Sequence, residues 1–183
     1  MLETERLILR QWKDEDYPLF AEMNSDDEVM KYFPEKLNVK ESNNFADKLK
    51  KLISERGWGL WALEIKQSKQ FVGFTGLHYV NSVLPFSPAL EIGWRLNKQF
   101  WSRGYATEAA LCSLQFAFNT LNVSEIVSLT SVINEKSQSV MKRLNMINTN
   151  KNFFHPLIDK SNILCEHVLY KITKSEWKEN GKN

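Results

Sequence analysis

The sequence predicts a mixed α/β domain with strands on both sides of its helices. Three observations carry this expectation. The hydrophobic repeat switches along the chain between helical spacing and period two. A strand, a tight turn and an amphipathic helix follow one another between residues 89 and 121. And 183 residues, 43% of them hydrophobic, suffice to build one sizeable core.

Taken in order, the first strand is expected at Leu7 to Gln11. A helix should open near Asp14 or Asp16, where an acidic cap and Pro18 in the first turn suit the free amides of a helix start. A second helix runs from about Val39 to Glu55, with Phe45, Leu49, Leu52 and Ile53 on one stripe. From Trp58 the period becomes two. Trp61, Leu63 and Ile65 alternate with other positions, and Phe71, Val72 and Phe74 to Tyr79 form a further strand, so that the two read as a meander. Asn81 to Pro88, with Pro85 and Pro88, is a loop. Ala89 to Leu96 is the next strand, followed after a short turn by a helix from about Thr107 to Leu121, whose Ala110, Leu114, Ala117, Phe118 and Leu121 share one face. Ile126 to Val132 reads as a buried strand, Glu135 to Leu144 as a helix and Glu166 to Ile172 as a late strand. No repeat, linker or shift of composition interrupts this order, so a single domain over residues 1–183 is expected.

Composition narrows the function classes. The formal net charge is only +2, and basic residues alternate with acidic ones, so nucleic acid is not expected as a partner. Charges interrupt every apolar run well before the roughly 20 residues a bilayer requires, and no signal-peptide core follows Met1. These features predict a soluble, cytoplasmic protein without a membrane partner. Cys112 and Cys165 lie far apart with no nearby His or Cys pattern, which predicts buried free thiols and no metal.

The most informative stretch is Trp101-Ser102-Arg103-Gly104-Tyr105-Ala106-Thr107-Glu108-Ala109, a tight turn between a strand and a helix. Gly104 and the small Ala106 allow backbone amides to approach a ligand, and a helix start attracts phosphate. One glycine by itself also fits a plain connection.

Together with Glu91-Ile92-Gly93-Trp94-Arg95-Leu96, however, this stretch resembles the acetyl-CoA-binding core of the GNAT superfamily. Thr4 to Arg10, Asn134-Glu135-Lys136-Ser137, and Val140 to Met146 extend the resemblance over nearly the whole chain, toward the branch that contains the ribosomal-protein N-terminal acetyltransferases. The resemblance implies a GNAT-like, mostly antiparallel mixed sheet flanked by helices, with a V-shaped split between the strands near 90 to 96 and 126 to 132. It implies acetyl-CoA as cosubstrate. Ile92, Gly93, Trp94 and Leu96 would line or bond the pantetheine, Arg103, Gly104, Tyr105, Ala106 and Thr107 would hold the pyrophosphate, and Asn134 and Ser137 would touch the pantetheine arm. Three positions depart from the pattern: Trp101 stands where Gln or Arg is common, Met141 where many members carry a tyrosine acid, and Asn145 where a glycine often ends the helix. Asn enters the left-handed region readily enough to fill that last place.

Acetyl transfer requires an amine that has lost its proton. The resemblance places Glu91 near the reacting carbon, either as a base or as a structural carboxylate paired with Arg95 or a loop amide. With Met141 unable to donate, Ser137 is the nearest hydroxyl for the leaving thiolate, or else it serves the backbone; Tyr170 is a second donor. His155 either lines an acceptor pocket or has a surface or structural place, while His78 and His167 lie in strands and are better explained as packed or surface-facing, and Cys112 on an apolar helix face as core. Lys142 and Arg143 suit a helix C-terminus. The acceptor pocket is expected from the early helices, the 81–88 loop and the region around His155.

The function expected is therefore acetyl-CoA-dependent, direct N-acetyl transfer to a primary amine of a protein N-terminus or a small molecule, by a monomer or homodimer. A catalytically silent acyl-CoA-binding sensor or scaffold is the alternative, and transfer of a longer acyl group differs only in pocket depth.

Overall fold

The computed structural model describes residues 1–81 and 83–180, so within the expected 81–88 loop Ser82 lies outside the described residues. The chain starts with a two-residue strand, β1 (Leu2–Glu3), which pairs antiparallel with β2 (Leu7–Arg10) through Leu2↔Leu9. Helix α1 (Asp16–Ser25) opens at Asp16 as expected, with Pro18 in its first turn. Its carboxylate does not cap the helix, however. Asp16 accepts from Arg10 at 2.7 and 2.8 Å and from the Lys13 amide at 2.8 Å, because a buried guanidinium is a stronger partner than the helix amides. A short helix α2 (Asp27–Met30) follows, capped by Asp26. Helix α3 (Val39–Arg56) carries a capping box between Asn38 and Glu41 and ends on Gly57 at φ +78°.

Strand β3 (Leu60–Ile65) is buried at five of its six residues, so the period-two alternation expected there gives way to burial on both faces. Strand β4 (Phe71–Val80) pairs with it antiparallel, with a bulge where the partners of Leu63 and Glu64 skip from Gly73 to Phe71. Then come β5 (Ala89–Leu96), a 3₁₀ turn (Lys98–Phe100) and helix α4 (Tyr105–Asn119), which begins two residues before the expected start. The remainder comprises β6 (Glu125–Ser131), α5 (Glu135–Arg143), the two-residue strands β7 (Ile147–Asn148) and β8 (Phe153–Phe154), β9 (Glu166–Thr173) and α6 (Lys174–Asn180).

Contacts divide the chain into two units. The first is Met1–Leu77 with Gly93–Ser113. Its sheet follows the order β1-β2-β3-β4-β5, and Trp12, Phe20, Phe45, Phe71 and Phe74 form its aromatic core at centroid separations of 4.8 to 6.3 Å. Phe20, Phe71 and Phe74 are buried and contribute about 1.5–3 kcal/mol each, while Phe45 is half-buried.

The second unit is His78–Ile92 with the described residues from Leu114 onward. Here β5, β6 and β9 are successive neighbours, and β7 and β8 both pair with β9. Strands β6 and β9 are antiparallel from Glu125↔Thr173 to Ser131↔His167. Strands β5 and β6 are parallel and register at Glu91↔Val127; the next link is made by a side chain, the Ser128 hydroxyl donating to the Ile92 carbonyl at 3.0 Å. A ladder that thins to one pair fits strands that part. The sheet is thus mixed and mostly antiparallel, with helices beside it.

Side-chain alternation sorts the second unit into faces. Glu91, Val127, Leu129, Leu169, Lys171 and His167 fall on one face through the registers Glu91↔Val127, Val127↔Lys171, Leu129↔Leu169 and Ser131↔His167. Ser128 and Tyr170 oppose each other on the other face, where the Tyr170 hydroxyl reaches Gln138 of α5 at 3.4 Å.

Candidate active site

In the first unit, the turn ahead of α4 is held from the N-terminal segment. Ser102 at φ +60° and Gly104 at φ +81° bend the backbone, and the first helical bond runs from the Glu108 amide to the Gly104 carbonyl. Among the described residues, no hydrogen bond is recorded from the amides of residues 103–107. Five amides without a recorded partner at the positive end of a 15-residue helix are the kind of donors that can hold an anion. Arg6 fixes it: Nε donates to Glu108 at 2.6 Å, Nη1 to the Arg103 carbonyl at 3.0 Å, and the guanidinium lies 4.7 Å from the Tyr105 ring centre. Thr4 also donates to Glu108. Burial pushes the Glu108 carboxyl up, but the bonds from Thr4 and Arg6 outweigh it and hold the group below the usual carboxylate range. This is the physical work done by Thr4 to Arg6, which resemblance alone had flagged.

The last residues of β5 lie in the same unit. A side chain at Gly93 would meet nothing within 4 Å, so open space stands beside this backbone. The Gly93 carbonyl accepts from Thr75 Oγ1 at 2.9 Å; Trp94 is half-buried and Leu96 buried. Arg95 does not pair with Glu91, the alternative expected for that carboxylate. Its Nη1 donates to Asn24 at 2.7 Å, the guanidinium stands 3.9 Å from the Phe33 ring centre, and burial lowers its pKa to about 10.

In the second unit, Glu91 keeps a side chain 14% exposed, and its Oε2 lies 3.3 Å from Nε2 of His78. That partner was missed. His78 and Glu91 each stand three residues outside the Asn81–Pro88 loop, so hairpin symmetry was the signal available. His155 feels the Glu91 charge, and its ring lies 5.1 Å from that of the buried His167. Burial lowers the pKa of both; Glu91 opposes this at His155, and the Cys165 carbonyl opposes it at His167. Ile92 is fully buried.

On the opposite face, Asn134 caps α5 by accepting from the Ser137 amide at 3.2 Å, while its Nδ2 donates to Thr130 at 2.9 Å. Ser137 is half-buried, and its hydroxyl has no recorded partner among the described residues. Met141 is fully buried, a packing residue of α5, and Asn145 ends that helix at φ +57° as expected. Cys165 is buried, whereas Cys112 is only half-buried, contrary to expectation, because its place in α4 lies outside the fully covered Ala109, Ala110 and Leu114 stripe. No metal-binding cluster occurs among the described residues. A cavity of about 810 Å³ in this unit is lined by residues including Tyr79, Phe86, Leu90, Val127, Phe153 and Leu169, which brings together the 81–88 loop and the segment before His155.

A sequence model of the acetyltransferase (GNAT) domain matches residues 6–147. The chain belongs to the GNAT acetyltransferase family. It is similar to the uncharacterized N-acetyltransferase YnaD of Bacillus subtilis (strain 168), at 29% identity over 96% of this chain and 98% of that one. The crystal structure of a GNAT-family acetyltransferase from Bacillus anthracis matches with a TM-score of 0.80 at 26% identity, covering 96% of this chain and 99% of the other. The fold is shared with a ribosomal-protein-S5-alanine acetyltransferase from Vibrio fischeri, with a TM-score of 0.74 at 18% identity, covering 96% and 97%. As a GNAT member the protein is an N-acetyltransferase, of a family that transfers acetyl from acetyl-CoA to amines. No helix among the described residues is long and apolar enough to cross a membrane.

Proposed function

We propose that the chain is one N-acetyltransferase domain, residues 1–183, that moves the acetyl group of acetyl-CoA directly to a primary amine of a protein N-terminus or a small molecule. Cytoplasmic location and a monomeric or homodimeric state belong to the same proposal. Continuity supports the single domain: β4, β5 and α4 each run unbroken through both units. The observation that carries the catalytic reading is Glu91, a half-buried carboxylate paired with an imidazole and with no Lys or Arg ion pair among the described residues. Such a carboxylate can take a proton.

The free amides of Arg103 to Thr107 suit the pyrophosphate of acetyl-CoA, and the open flank of Gly93, with Ile92, Trp94 and Leu96, suits its pantetheine; family resemblance assigns Asn134 and Ser137 to that arm as well. The acceptor arrives as an ammonium and gives one proton to Glu91, directly or through water. Its lone pair then attacks the thioester carbon, the N–C bond forms and the C–S bond breaks. The second amine proton balances the departing thiolate, with Ser137 or water as donor. Glu91 and α5 on opposite faces of the sheet suit this division of labour.

Steady-state kinetics against pH test the assignment. General-base help is worth about 10² to 10⁴ in rate, so Glu91→Gln should lower kcat within that span, remove the acidic limb and leave acetyl-CoA affinity intact. Ser137→Ala should do less, since one hydrogen bond contributes on the order of 1 kcal/mol and water replaces part of it. A wild-type kcat and pH profile in Glu91→Gln removes Glu91 as the base.

A further inference from the structure

Glu91 is not alone on its face. All three histidines of the chain gather around it: His78 by direct contact, His155 by charge, and His167 beyond His155. The contact with His78 is chemically specific. Nε2 lies 3.3 Å from Oε2 of Glu91, within reach of a ring N–H, whereas Nδ1 is buried without a hydrogen-bond partner among the described residues. Only one neutral tautomer satisfies both facts. With the proton on Nε2 the ring donates to the carboxylate, and the buried Nδ1 has no hydrogen to satisfy; with the proton on Nδ1, a lone pair would face the carboxylate and a buried donor would go unpaired.

We propose that His78 is a positioning residue for acetyl transfer: its Nε2–H holds Oε2 of Glu91, so that Oε1 alone is presented to the acceptor ammonium or to the water that bridges it. This rests on the reading of Glu91 as the base. A carboxylate on a flexible three-torsion side chain gains directional reach when one oxygen is pinned. The side chain of His78 is 38% exposed, so the pair also borders solvent, where the captured proton leaves between turnovers. Other titratable groups near this face are His155 and His167, with Tyr79, Lys151, Lys171 and its ion-pair partner Glu125 around the adjoining cavity.

Two measurements test the proposal. Kinetics are run with acetyl-CoA and a panel of an Ala-initiated peptide, a Ser-initiated peptide, spermidine and phenethylamine. His78→Ala should lower kcat roughly ten- to hundredfold and leave the KM for acetyl-CoA unchanged, because a bond to a charged group is lost. His78→Gln, whose amide can donate from nearby, should recover most of that loss; a merely structural role would not give a donor-dependent recovery. Independently of turnover, ring ¹⁵N NMR on a chain with three histidines, assigned by single replacement, should show His78 as the Nε2–H tautomer and should show its signals move in Glu91→Gln. An Nδ1–H tautomer, or wild-type kinetics in His78→Ala while Glu91→Gln is impaired, overturns the positioning role alone. Wild-type kinetics in Glu91→Gln overturns both this role and the base beneath it.

Discussion

Arg6 and Glu108 stand 102 residues apart in sequence, yet their bonds decide the shape of the turn ahead of α4. Arg6 clamps both the carboxylate at the helix start and the Arg103 carbonyl, and the amides of residues 103–107 between them have no recorded partner among the described residues. Gly104 completes the turn at φ +81°, where an added Cβ would come within 3.3 Å of Arg6 Nη2. The left-handed conformation costs a side chain about 1–2 kcal/mol before any clash is counted. Gly104→Val should therefore weaken acetyl-CoA binding by roughly tenfold or more in calorimetry, while the melting temperature shows whether the fold survives. Unchanged affinity would remove this turn from the cofactor site. The glycine and the helix start were legible in the sequence because their chemistry is local. The Arg6 clamp was not, because nothing local links residue 6 to residue 108.

At the scale of elements, Arg10 ties β2 to α1 and β3. It donates to Asp16 and, through Nε, to Glu64 at 2.7 Å, and all three side chains are largely removed from water. Removing one partner of such a set leaves buried charge unpaired, so Arg10→Met should destabilise the fold by about 3–5 kcal/mol in urea unfolding at neutral pH. The sign with pH follows from Glu64. Burial raises its pKa, but Arg10 and Lys13 outweigh burial and hold it below 4.5, so its contribution is present above 4.5 and lost as pH falls through the folded-state value. The gap between wild type and Arg10→Met should accordingly narrow on acidification below about pH 4.5; a gap constant with pH would show that Glu64 is not stabilised by Arg10. Sequence periodicity located α3, β5, β6, α5 and β9 to within about two residues, since each is long enough to display a repeat. It missed β1, β7 and β8, which are two residues each and exist through their partner strands, and it missed α2, whose signal is the Asp26 cap alone, and the seven-residue α6.

At the scale of the molecule, the expected cofactor and catalytic residues distribute over two units: the turn and the end of β5 in the first, Glu91, Ile92, Asn134 and Ser137 in the second. Family resemblance named these residues from their order along the chain. The neighbours of Glu91 lay beyond it, because residues 78, 155 and 167 come from separate parts of the sequence: His78 reaches Glu91, and His155, which feels the Glu91 charge, lies beside His167. The cavity beside that face likewise depends on Phe86 and Phe153 meeting edge-on at 5.4 Å from distant parts of the sequence. The whole account predicts turnover, not storage, of acetyl-CoA. The most direct test is release of free CoA thiol from acetyl-CoA by the full chain across small amines and peptides, with mass detection of the product. Amine-dependent release with a matching acetylated amine is the expected result; tight acetyl-CoA binding with no release above background for any amine would contradict it and leave a silent acyl-CoA sensor.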